Sequence, residues 1–120
     1  MYTITKEFKF EAAHSLFDLP PDHKCGRQHG HSYRVEVELS STQLNEHWFV
    51  LDYGELDEFA DYLKNDFDHF DLNELDILTI PQTSAECLAK FFYDWCKQRW
   101  VLTSAVRVSE TKKTWAEYKP

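Results

Sequence analysis

The sequence predicts an α+β domain, an antiparallel four-stranded sheet with two helices on one face, in the order β-β-α-α-β-β. Three observations carry that prediction. Apolar and polar residues alternate with a period of two over residues 2–14 and again over 31–40. Between residues 56 and 95 the apolar spacing changes to three and four. After residue 100 the period of two returns.

In the first segment Tyr2, Ile4, Phe8, Phe10 and Ala12 share one parity, and His14 shares it too. Lys6 breaks the pattern, so the beginning of this strand reads as an edge or as exposed. Pro20, Pro21 and Gly26 mark irregular backbone in "SLFDLPPDHKCGRQ". The second strand is expected from about His31 to Ser40, with Tyr33, Val35, Val37 and Leu39 inward and Arg34, Glu36 and Glu38 outward. His29 and His31 lie on the inward parity. A turn, "STQLNEHW", and a short apolar piece, "WFVLDY", follow. Leu56, Phe59, Ala60, Leu63 and Phe67 make one face of a helix, with Asp52 as its expected N-cap. "DFDHFDLNELDILTIP" reads as loop. Thr83 and Glu86 in "TSAE" have capping-box spacing, and Leu88, Phe91, Phe92 and Trp95 form the stripe of a second helix. "WVLTSAVRVSET" reads as a third strand and "TWAEYK" as a short fourth.

The length suits one domain over residues 1–120. Thirteen basic against 21 acidic residues give a net charge of −8, which argues against general binding to nucleic acid or an anionic membrane surface. No apolar run has the length of a membrane span, and "MYTITKEFKF" lacks a signal-peptide pattern, so the expected compartment is the cytoplasm. The three cysteines form no CxxC, and a disulfide framework is not expected there. Cys87 and Cys96 fall in the second helical pattern and read as packing residues. Cys25 sits in a polar loop beside Lys24, Arg27 and His29, where positive charge favours the thiolate.

If the first two strands pair antiparallel, His14, His29 and His31 project from one face at one end of the sheet. Three neutral imidazoles suit zinc, leaving a fourth position for water or substrate. A His-x-His pair alone is a weak signal, and the third histidine in register strengthens it. The alternative makes Cys25 a fourth ligand in a closed, structural site, so that Cys25→Ala loses zinc; an open catalytic site keeps it. His23 and His47 read as solvated. Leu102, Val106, Val108 and Glu110 share parity, so a carboxylate ends an apolar face, unless the strand stops at Ser109. By composition alone "DFDHFDLN" is an acidic solvated loop. The His-x-Glu with Cys-x-x-Cys pattern of nucleobase deaminases is absent.

"FEAAH", "CGRQHGHSYRVEVEL", "LDYGEL", "FDHFDLN", "QTSAECLAKF" and "VRVSET", in this order along nearly the whole chain, resemble the 6-pyruvoyltetrahydropterin synthase family. Cys-x-x-x-His-Gly-His resembles its queuosine branch, the 6-carboxytetrahydropterin synthases. The tetrahydrobiopterin branch typically has a longer gap, and a further branch has Glu in place of the Cys. The resemblance implies a T-fold whose subunits associate edge to edge into rings, often hexamers, with active sites at subunit interfaces. It implies Zn2+ on His14, His29 and His31, proton transfer by Cys25, Asp68 and His69, and Glu110 under a pterin ring. The implied substrate is 7,8-dihydroneopterin triphosphate. The implied product is 6-carboxytetrahydropterin with acetaldehyde, or 6-pyruvoyltetrahydropterin if the side chain is not cleaved. Thr83, Ser84 and Glu86 are capping residues first, but the helix N-terminus they mark also offers N–H groups to a ligand. Lys24 and Arg27 are candidates for contact with the triphosphate.

Overall fold

β1 (Tyr2–His14) and β2 (His29–Ser41) pair antiparallel in unbroken register, from Tyr2 opposite Ser41 to His14 opposite His29. The computed structural model describes every residue, Met1–Pro120. With no bulge in this pair, each parity stays on one face throughout. Phe8, Phe10 and Ala12 of β1 and Tyr33, Val35, Val37 and Leu39 of β2 are therefore all buried. Lys6 lies on the same parity, opposite Val37. Its ammonium reaches out to Asp57 Oδ1 at 3.0 Å and to the Tyr53 carbonyl at 3.2 Å, so its stem covers apolar surface while its charge stays paired.

The remaining elements are α1 (Asp57–Asp66), β3 (Phe70–Asp71), α2 (Ala85–Arg99), β4 (Thr103–Ser109) and β5 (Ala116–Tyr118). The sheet order is β3-β1-β2-β4-β5, antiparallel except where β3 runs parallel to β1. The sheet thus has five strands, not four. β3 pairs only Phe70 and Asp71 with Ala12 and Ala13, too short a run for any periodicity to reveal. Residues 68–74 are accordingly not free loop: they run alongside the end of β1 in the same direction, and Leu72 is buried.

Both helices bury the faces their spacing marks. Phe59, Leu63 and Phe67 are buried, as are Leu88, Phe92 and Cys96, in one apolar core of 22 residues. Phe92 meets Phe67, Phe59 and Phe10 edge-on at centroid distances of 5.1, 5.6 and 6.1 Å, arrangements worth about 1 kcal/mol each beyond burial. Two caps differ from expectation. Asp52 caps a single 3-10 turn, Tyr53–Leu56, by accepting from Gly54 N–H, and α1 begins only after it. Ser84, not Thr83, is the N-cap of α2 and accepts from Cys87 N–H at 3.3 Å. Thr83 is released for a different role. No helix is long and apolar enough to cross a membrane.

Candidate metal centre

The register alone brings the three histidines together. His14 ends β1 directly opposite His29, which opens β2, and His31 stands across from Ala12. The ring centroids are 4.6, 4.8 and 5.0 Å apart. One nitrogen from each ring lies within 4.8 Å of the other two.

Two rings have their tautomer set by main-chain carbonyls. His14 Nδ1 donates to the Thr83 carbonyl at 2.8 Å, and His29 Nδ1 donates to the Arg27 carbonyl at 2.7 Å. A carbonyl only accepts, so each Nδ1 carries the proton and each Nε2 keeps its lone pair. His14 Nε2 faces His31 Nε2 at 3.1 Å and Glu110 Oε2 at 3.3 Å, and Glu110 Oε2 is 3.6 Å from His31 Nε2. His31 can place a single proton among these acceptors. A divalent cation satisfies the three imidazole nitrogens together, and nitrogen donors of this kind fit zinc. Burial, reinforced by neighbouring imidazoles, holds the pKa of His14 and of His31 below the usual histidine range, the His14 shift prevailing over the bond to Thr83. Both rings are then neutral near pH 7, as metal ligands must be.

A pocket of about 520 Å³ opens over the imidazoles, with Lys24, Cys25 and Glu110 in its wall. Cys25 is half-buried in a single 3-10 turn, Lys24–Gly26, where its N–H donates to His23 Nδ1 at 3.1 Å. The compact donor set is the three imidazoles alone. Cys25 shares their pocket without joining that set. Glu110 lies just past β4. Burial raises its pKa; His29 opposes that shift and the carboxylate of Glu86 adds to it. Ser84 is engaged in its cap, Thr83 offers its carbonyl to His14 and its hydroxyl to the Ser15 carbonyl, and Arg27 offers its carbonyl to His29.

Asp68 and His69 are not brought into the Cys25 pocket. His69 Nδ1 pairs with Asp68 Oδ2 at 2.9 Å, and Asp68 Oδ1 accepts from Glu11 N–H at 2.7 Å, the main cause of a lowered Asp68 pKa. His69 adopts φ 67°, a left-handed conformation uncommon outside glycine, and its side chain is 79% exposed. The pair lines a neighbouring cavity of about 600 Å³ with Glu11, Ser32 and Arg34, which His31 and Glu110 also border. The carbonyls of Thr83 and Arg27 escape sequence reasoning, because every residue carries one.

A family model described as 6-pyruvoyl tetrahydropterin synthase matches residues 3–120. The chain belongs to that family. A Synechocystis relative named 6-carboxy-5,6,7,8-tetrahydropterin synthase is 40% identical over 100 residues, covering 78% of this chain and 73% of the relative. An Aquifex aeolicus protein of the same name is 28% identical over 158 aligned positions, covering 98% of each chain. The structure of Caenorhabditis elegans 6-pyruvoyl tetrahydropterin synthase superposes with a TM-score of 0.86 at 22% identity, covering 99% of this chain and 95% of that one. At that identity the superposition speaks for the fold. It bears out the α+β architecture expected of a T-fold.

Proposed function

We propose that residues 1–120 act as one synthase domain, a zinc-dependent 6-carboxytetrahydropterin synthase of the queuosine route. It takes 7,8-dihydroneopterin triphosphate and water to 6-carboxytetrahydropterin, acetaldehyde and triphosphate. The observation that carries this reading is the convergence of three imidazoles whose free nitrogens face one point, with Cys25 beside them and outside the donor set. The names of the Synechocystis and Aquifex relatives support the choice of reaction.

His14, His29 and His31 hold the ion. Bound zinc supplies Lewis-acid polarisation of substrate oxygens, which acidifies the adjacent C–H. Cys25, as thiolate, takes a proton from the substrate side chain. His69 acts as the partner acid/base, and Asp68 fixes its tautomer by accepting from Nδ1. Glu110, ionised, accepts side by side from the N–H donors of the pterin's pyrimidine edge. Its raised pKa makes a partner of that kind favourable, since N–H donors stabilise the carboxylate against burial. Lys24, in the pocket wall, and Arg27 are placed by this reading at the triphosphate, and Thr83, Ser84 and Glu86 mark the N-terminus of α2, whose N–H groups are offered to the substrate. The copies assemble into a ring, a hexamer in the reading that the family suggests, so that His69 reaches the Cys25 pocket of a neighbour. In support, β1 pairs with β3 only through Ala12 and Ala13, leaving its edge from Tyr2 to Phe10 without a strand beside it.

The test is a product assay. Zinc-loaded protein is incubated with 7,8-dihydroneopterin triphosphate, without a reductase, and products are identified by mass spectrometry. 6-Carboxytetrahydropterin with acetaldehyde is expected. 6-Pyruvoyltetrahydropterin alone moves the chain to the other branch of its family, and no turnover with full zinc removes the catalytic reading.

A further inference from the structure

Beyond His14 the chain of β1 continues without a strand beside it, and two primary amides take a strand's place. Asn73 Oδ1 accepts from Ser15 N–H at 2.9 Å while Asn73 Nδ2 donates to the Ser15 carbonyl at 2.9 Å. Gln82 repeats the arrangement two residues on: Oε1 accepts from Phe17 N–H at 3.4 Å and Nε2 donates to the Phe17 carbonyl at 3.0 Å. A carboxamide offers an acceptor and a donor side by side, as a strand edge does. Alternate residues facing the same side is the spacing of a ladder. Leu16, between them, turns the other way, and its N–H donates to the Cys25 carbonyl at 2.8 Å.

The clamp is itself fixed. Asn73 N–H donates to Asp71 Oδ1 at 3.0 Å, and Thr83 Oγ1 donates to the Ser15 carbonyl at 3.3 Å. Thr83 follows Gln82 directly, and its carbonyl takes the Nδ1 proton of His14. One stretch of chain therefore carries both an amide that grips β1's exit and the acceptor that sets the His14 tautomer. The gripped segment in turn holds the main chain of Cys25.

We infer that Asn73 and Gln82 are positioning residues: as a surrogate strand edge they fix the exit of β1, and through it the tautomer of His14 and the placement of Cys25. The metal-affinity arm of the test rests on the zinc reading above; the ring-tautomer arm does not. Asn73→Asp keeps the acceptor for Ser15 N–H but sets an oxygen against the Ser15 carbonyl, and Gln82→Ala removes the outer grip from a half-buried position.

Two quantities are measured on the full chain: the zinc dissociation constant, by chelator competition, and the ring 15N shifts of His14 in metal-free protein. Asn73→Asp and Asn73→Ala are expected to weaken zinc about 10-fold, the low end of what losing a ligand's direct hydrogen-bond partner costs, because Asn73 reaches His14 only through Ser15 and Thr83; Gln82→Ala is expected in the same direction and smaller. The His14 ring is expected to move from the Nδ1–H tautomer toward a mixture. Val50→Ala, a buried truncation beside the start of β1, is the control, expected to lower stability and leave zinc affinity unchanged. Affinity within about twofold of wild type in Asn73→Asp, with an unchanged His14 tautomer, overturns the inference. So does an equal loss of zinc in Val50→Ala, because the effect is then general loosening. Wild-type protein that takes up no zinc defeats the metal reading instead, and the ring shifts alone then decide on the clamp.

Discussion

Tyr33 stacks on Phe10 at 4.8 Å and stands edge-on to His31 at 5.4 Å, fully buried, and its hydroxyl meets no donor or acceptor. Burial, joined by the negative field of Glu110, pushes its ionisation far above the ordinary phenol range, so it stays neutral. A buried hydroxyl without a partner costs about 1–3 kcal/mol of desolvation. Tyr33→Phe keeps the ring and removes that cost, and is expected to raise stability by about 1 kcal/mol. The check is a urea titration, in which the midpoint rises at constant slope; a lower midpoint shows that the hydroxyl has a partner after all. Parity made the burial of Tyr33 legible, as it did the shared face of His14, His29 and His31. It could not reveal the orphaned hydroxyl, which depends on what the opposite layer brings. Nor could it reveal the carbonyls of Thr83 and Arg27, whose role is set by where the chain passes and not by side chains.

The long β1–β2 ladder was the most legible element, because a period of two broken only at Lys6 admits one buried face. What lies beside it was not. β3 and the 3-10 turn after it, Leu72–Glu74, are held by edge contacts to β1, and a two-residue strand has no period. The open face of the sheet gives a second case. Glu36 and Glu38 read as plain outward charges, but the ladder with β4 sets Arg107 opposite Glu36. Arg107 then bonds Glu36 at 3.3 Å, Glu117 at 2.7 Å and Glu38, while Ser104 donates to Glu38 at 2.6 Å. Burial alone raises the Glu38 pKa; the bonds from Ser104 and Arg107, with the charges of Arg107 and Lys119, outweigh it and leave the net shift downward. A carboxyl with a folded pKa below its unfolded value of about 4.3 contributes stability above that pH and loses it as pH falls through the folded value. Glu38→Gln removes the titrating group. It is expected to lower the melting temperature at neutral pH and to make its fall in acid shallower than in wild type. Melting curves between pH 7 and pH 3 check this, and parallel acid limbs count against it.

At the scale of the whole molecule, one chain spreads the proposed proton-transfer groups over two cavities. Cys25 shares its pocket with the imidazoles, whereas His69 stands outside it, exposed and in a left-handed conformation held by its own N–H bond to the Glu11 carbonyl at 2.6 Å and by Asp68. A His69 that lies outside the Cys25 pocket of its own chain fits the proposed boundary between copies, across which it would meet the Cys25 pocket of a neighbour. Sites shared in this way make a specific prediction about mixtures. Cys25→Ala and His69→Ala are each expected to be inactive as pure assemblies. Refolded together in equal amounts, a site that draws Cys25 from one copy and His69 from the next has both groups intact in about one case in four. Activity near a quarter of wild type is therefore expected from the mixture, in the same product assay. A site built within one chain gives no recovery, since no chain in the mixture carries both groups. Dilution separates these cases further. The shared site loses specific activity once the assembly dissociates, and a site within one chain does not.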